Sequence, residues 1–170
     1  DCSTDIGSLF VKIKNKSFNK VLQSDKSTND LFMKQILDFF DENKLRLEDL
    51  SQIFVNQGPG NFSGLRGSLA TAKGISLSKN LKLFGYDAFI WSSAQFYNKK
   101  NSINSLIKFR ERYFLKKFNK ELNSLSAIQE VTVEQIIKNY DGQFKVISKQ
   151  GAKHFDRKIL ELDNVSIVDL

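Results

Sequence analysis

The side chains that most often carry catalysis are scarce in this chain. Its 170 residues hold one cysteine, Cys2, and one histidine, His154. A single cysteine forms no internal disulfide and no cysteine-rich metal site. A single histidine supplies no His pair for zinc and no facial triad. A Ser-His-Asp or Cys-His device would have to use His154 as its base. That residue stands in a Lys-rich run, KHFDRK, without a nucleophile elbow nearby, so a surface histidine is the plainer reading. The stretch that does invite chemistry is Gly58 to Gly74, GPGNFSGLRGSLATAKG. A glycine-rich turn entering a helix presents backbone amides to an anion. It lacks the Gly-Lys-Ser/Thr ending of a Walker loop, however, and does not fit the dinucleotide fingerprint. A phosphate cradle and a tight packing turn both remain, and packing is the simpler.

Around this turn, Ile53 to Val55 reads as a compact buried strand, and the glycines Gly58, Gly60 and Gly64 with Pro59 shape the entry into a helix running to about Ser78. Ser63 is the expected cap of that helix. Gly64, Gly67, Ser68, Ala70, Thr71, Ala72, Gly74, Ser76 and Ser78 are all small. Pairs such as Gly67 with Thr71 and Ala70 with Gly74 let another backbone come close. Glycine inside a helix costs about 1 kcal/mol relative to Ala, so this spacing needs a compensating reason. Close packing on the chain's own sheet and close packing on another subunit's helix both supply one.

Upstream, Ser8–Ile13 and Ser17–Gln23 read as an antiparallel hairpin turning at Lys14-Asn15-Lys16. Ser27 or Thr28 is the expected cap of a helix in which Leu31, Phe32, Ile36, Phe39 and Phe40 recur to about Asn43. Met33 and Leu37 widen its apolar face beyond what one sheet needs. Leu81–Phe84 reads as a strand and Ser92–Tyr97 as a short helix. The first half is thus strand, strand, helix, strand, helix, strand. Past Trp91 the pattern changes. Leu106–Phe109 and Tyr113–Phe118 read as paired strands, Thr132–Tyr140 as a helix and Phe144–Ile147 as a buried strand, with weak elements at 156–162 and 165–168. Two domains are expected, 1–90 and a smaller 91–170. Asp1 stands where a strand should be under way, so preceding residues are expected.

Composition is ordinary for a globular chain, with 41% hydrophobic and 26% charged residues. No window approaches the roughly 20 apolar residues of a membrane span, and no signal-peptide pattern is present. A soluble, cytoplasmic protein is expected. The net charge of +7 raises nucleic-acid binding, but it is spread: residues 1–90 carry 12 basic and 10 acidic groups, and 91–170 carry 14 and 9. The crowding of Lys, Asn, Ile and Phe is also what AT-rich coding produces.

The Gly58–Gly74 string closely resembles the hallmark of the TsaB (YeaZ) family, near GPGSFTGLRIGLATAKGLA, with Asn61, Ser63 and Gly67-Ser68 as the departures. Asp1-Cys2-Ser3-Thr4 is similar to the family's DTST opening, and the helix from Thr28 sits where the family has HSExLLP, without its histidine. Residues 108–114 resemble DARRxEVY with Asp and Ala lost, and Gln150-Gly151-Ala152 sits near GDGA. The likeness is strong over 53–90 and loose after 100. The chain is expected to stop before the family's C-terminal helices, leaving the second domain truncated.

The resemblance implies an α/β fold of the actin, hexokinase and Hsp70 class: a ribonuclease-H-like domain with a mixed sheet and flanking helices, plus a smaller second α/β domain. It implies a non-catalytic scaffold, without cofactor or metal, that pairs with the catalytic TsaD subunit. That complex attaches threonylcarbamoyl to adenosine 37 of tRNA, with the ATPase TsaE joining and TsaC supplying the adenylate. tRNA would be met through the complex, no membrane is involved, and self-pairing into a homodimer when the partner is absent is left open. The interface is expected on helices 28–43 and 63–78, through Met33, Leu37, Phe40, Arg66, Gly67, Thr71 and Gly74. Arg66 reads equally as a contact to an acidic partner group or as a surface charge. The competing reading is an enzyme of the same superfamily, a nucleotide-binding kinase-like or a glycoprotease-like protein. Its second phosphate loop and adenosine motif are not found.

Overall fold

A computed structural model describes residue 2, residues 7–22 and residues 29–168, with backbone alone at 29–31. The expected cap at Ser27 or Thr28 and most of the opening Asp1–Thr4 string lie outside the described residues. The chain divides into two compact units, Asp1–Asp87 and Ala88–Leu170.

In the first unit, β1 (Gly7–Ile13) and β2 (Lys16–Leu22) pair antiparallel, with Val11 opposite Phe18. Lys14 takes φ 53° in the turn. The period-2 pattern points Leu9, Val11 and Ile13 inward, where they meet α1 (Asn29–Glu42). Ile36, Phe39 and Phe40 of α1 close a core with Val11, joined by Phe18, Phe32, Leu45, Leu47 and Leu50. Leu47 opens a single 3-10 turn, Leu47–Asp49, and Leu50 follows it. β3 (Gln52–Asn56) and β4 (Lys82–Tyr86) pair in parallel, with α2 (Phe62–Lys79) as their crossover. Phe54 and Phe84 are register partners on the outward side, their rings stacked 5.3 Å apart. Among the described residues, these strands form two two-stranded ladders.

In the second unit one mixed five-stranded sheet runs β7-β6-β5-β8-β9. Its strands are β5 (Ser102–Phe109), β6 (Arg112–Asn119), β7 (Gln129–Val131), β8 (Lys145–Ser148) and β9 (Val165–Val168). α3 (Ala88–Ser93) packs on one face, where Phe89, Ile103, Phe118, Val146 and Val168 form a core. Ser92 Oγ and Ser105 Oγ meet at 2.8 Å beneath it. The other face carries a second core of Leu106, Leu115, Ile136, Ile147 and Ile159 under α4 (Val133–Tyr140) and α6 (Arg157–Leu160), with α5 (Lys149–Ala152) following β8. Thr132 and Gln135 cap α4 reciprocally. Both faces are covered, so side chains of either orientation are buried, the polar Asn104, Ser105 and Lys145 among them. The expected helix at 92–97 is instead α3 followed by a 3-10 turn, Ala94–Phe96, because the apolar run Phe89-Ile90 seats one turn earlier.

Candidate docking face

The glycine-rich loop is built to aim α2. Asn56, 4% exposed at the end of β3, accepts the Gly58 amide on its Oδ1 at 2.9 Å. Gly58 takes φ 103°, a conformation that disfavours a side chain, and a Cβ there would lie 3.2 Å from Leu65 Cδ1. The loop thus turns tightly against the first turn of α2. Asn61, not Ser63, is the cap: in extended backbone it accepts the Ser63 amide at 3.0 Å and, through its carbonyl, the Leu65 amide at 2.9 Å. Ser63 lies inside the first turn, where its backbone is already helical. The phosphate-cradle reading gains no support from this arrangement, since the chain's own asparagines occupy amides that an anion would take. At the far end Asn80 adopts the left-handed conformation and closes the helix.

α2 buries Ser68 and Ala72 and packs on β3 and β4; the Cys2 amide donates to Ser68 Oγ at 3.0 Å. Small residues on this side serve the unit's own sheet. Gly67 and Thr71 are half-buried, whereas Arg66, Ala70 and Gly74 are exposed. A Cβ at Gly74 would meet nothing within 4 Å. The exposed stripe runs Phe62, Arg66, Ala70, Gly74, Leu77, at steps of three and four. Phe62 is 65% exposed and Leu77 84%, and the Arg66 guanidinium lies 5.2 Å from the Phe62 ring centroid.

On α1, Met33 and Leu37 are exposed one turn apart, while Phe40 is not. At 5% exposure Phe40 packs edge-on with Phe39, 6.0 Å between centroids, and belongs to the core. Its expected place on a free face is corrected: the helical turn that carries Met33 and Leu37 outward rotates Phe40 toward β1. α1 and α2 pack on each other, so their exposed side chains belong to one unit. Phe62 and Leu77 were missed in the sequence because they stand at the margins of the small-residue string. A helical wheel of 62–79 places both with Arg66 and Gly74.

No group of His, Cys, Asp and Glu among the described residues could hold a metal ion. No described helix is long and apolar enough to cross a membrane.

A family model described as TsaD, tRNA N6-adenosine threonylcarbamoyltransferase, matches residues 23–100. The tRNA threonylcarbamoyladenosine biosynthesis protein TsaB of Buchnera aphidicola subsp. Baizongia pistaciae (strain Bp) is 32% identical over 81 residues, 48% of this chain. The match spans 37% of that relative's length. YeaZ from Pseudomonas aeruginosa superposes with TM-score 0.76 at 14% identity, over 99% of this chain and 82% of that one. A second Pseudomonas aeruginosa structure, an uncharacterized protein with similarity to peptidase YEAZ, gives TM-score 0.76 at 13% identity over the same shares. At such identities these superpositions carry the fold: two α/β units of the YeaZ kind.

Proposed function

We propose that the chain is a TsaB (YeaZ)-type protein and acts as a non-catalytic docking subunit in cytoplasmic tRNA N6-threonylcarbamoyladenosine biosynthesis. Its partner in this reading is a TsaD-type catalytic subunit. A TsaE-like ATPase joins the pair, and tRNA is met through the assembly. Without the partner, the same face joins two copies of this chain.

The observation that carries the reading is the exposed stripe of α2, in the same unit as the exposed Met33 and Leu37 of the contacting α1. Leu77 at 84% exposure and Phe62 at 65% stand mostly in water. Fully burying one such side chain contributes about 1.5–3 kcal/mol. Gly74 leaves open space at which a partner backbone can approach. Met33, Leu37, Arg66 and Gly74 form the face with Phe62 and Leu77. Gly67 and Thr71, half-buried, set its floor. The first unit docks, and the loop Gly58, Pro59, Gly60 and Gly64 sets the entry angle of α2.

Co-expression with the TsaD-type subunit of the same organism, followed by size exclusion with light scattering, tests this. A stable complex is expected. Leu77→Asp and Gly74→Trp should each separate the two proteins while leaving far-UV circular dichroism unchanged, since neither side chain enters the unit's core. Persistence of the complex in both variants would remove α2 from the interface.

A further inference from the structure

The charges of the first unit are segregated between the two helices that form this face. From Leu50 to Tyr86 the chain holds no carboxylate, and its ionic side chains are Arg66, Lys73, Lys79 and Lys82. From Asn29 to Asp49 it holds six acidic residues against Lys34, Lys44 and Arg46. Within the two helices, α1 carries Asp38, Asp41 and Glu42 with Lys34, and α2 carries only the cations Arg66, Lys73 and Lys79. Arg66 and Lys73 are exposed along the α2 stripe, separated by Ala70. On α1, Asp41 is exposed one turn beyond Leu37, so the row Met33, Leu37, Asp41 ends in a carboxylate. Other charges near the face are engaged within the unit: Lys34 with Asp38 at 2.7 Å, Lys20 with Glu42 at 2.9 Å and Lys79 with Glu48 at 2.5 Å. Arg66 is held over the Phe62 ring and no carboxylate stands in the first turn of α2.

Resting on the docking reading above, we infer that the partner surface opposite α2 is an apolar face bordered by carboxylates, which meet Arg66 and Lys73. Arg66 is the stronger recognition element, since its planar fork binds a carboxylate bidentately. The partner carries a cation where it meets Asp41. Charges at the rim of an apolar patch act on encounter rate and on orientation more than on final affinity. Cations on α2 and a carboxylate at Asp41 therefore favour one orientation of the partner over the reverse. A phosphate backbone would also meet two cations, but it would leave Phe62, Ala70 and Leu77 in water. An apolar protein face covers them.

The test measures association of the full chain with the TsaD-type subunit by surface plasmon resonance from 50 to 500 mM salt. Doubly changed R66E/K73E is expected to slow association about tenfold at low salt, with the difference shrinking as salt screens it. Replacing the partner's facing carboxylates with lysine should restore the rate for R66E/K73E and lower it for the unchanged chain. Equal rates for R66E/K73E at every salt concentration, with Leu77→Asp still abolishing the complex, would overturn the inference and leave the docking reading intact. Failure of all versions of the chain to bind would instead remove the docking reading. A salt-dependent affinity for tRNA that is lost in R66E/K73E while association is unchanged would overturn the inference in favour of a phosphate contact.

Discussion

The two units of this chain bury their apolar residues to different degrees. The second lays a five-stranded sheet between two cores and leaves Ile103, Phe89, Ile136 and Ile147 wholly buried. The first closes a small core around Val11, Ile36, Phe39 and Phe40, yet exposes Phe10, Val21, Met33, Leu37, Phe54, Phe62, Leu77 and Phe84. A unit that keeps so much apolar surface in water holds free energy in reserve for contacts made by other chains or segments. The second unit also exposes Trp91, Tyr97, Leu125, Ile128 and Ile167, but both faces of its sheet are closed by a core.

The largest expected contrast comes from truncating one phenylalanine in each unit. Phe89→Ala should lower the unfolding free energy by about 3–5 kcal/mol, because it empties a fully buried site. Phe62→Ala should stay within about 0.5 kcal/mol, since the ring is mostly in water. Urea unfolding checks both, and Trp91, the single tryptophan, reports on the second unit by fluorescence. Similar losses in the two variants would erase the distinction between closed and open units.

A smaller effect is expected at the helix starts. Thr132→Ala removes one half of a reciprocal cap, and Asn61→Ala removes a single-sided one. Each should cost about 1 kcal/mol, with Thr132 the larger because Gln135 also loses its fixed place. Chemical denaturation of the two variants measures the order.

The smallest effect concerns pH. Burial pushes the Lys145 ammonium below its ordinary value, and its Nζ donates to the carbonyls of Gln143 at 2.8 Å and Asp163 at 3.4 Å. Below the depressed folded value, Lys145 is charged in both states and the burial penalty is fully felt. Between that value and the ordinary one near 10.5, the unfolded chain binds more protons, so stability from this group rises with pH. The difference in unfolding free energy between the unchanged chain and Lys145→Met, measured from pH 7 to 10, should shift in favour of the unchanged chain. A flat difference would mean that the two carbonyls hold the ammonium as well as water does.

Much of the first unit was legible because its signals are local. The hairpin, the α1 periodicity and the glycine-rich entry to α2 each lie within about 20 residues, and backbone preferences decide them. The second unit was harder to read. β5 begins at Ser102 and carries Asn104 and Ser105 fully buried, so its polar positions resemble a loop until the strands on either side cover them. β7, three residues at a sheet edge, has no periodicity to detect. The exposed stripe of α2 was half legible: the small residues announced close packing, but not on which side of the helix.

The sequence alone determined the order of elements in the first half, the poverty of catalytic groups and the resemblance of the 58–74 string, because these depend on residue type and short spacing. Only the tertiary structure decided that Asn61 caps α2, that Phe40 turns inward, and that Phe62, Arg66, Gly74 and Leu77 share one exposed stripe. The physical reason is rotation. A helix presents a residue every 100°, and which of its faces is free follows only when the sheet has taken the other.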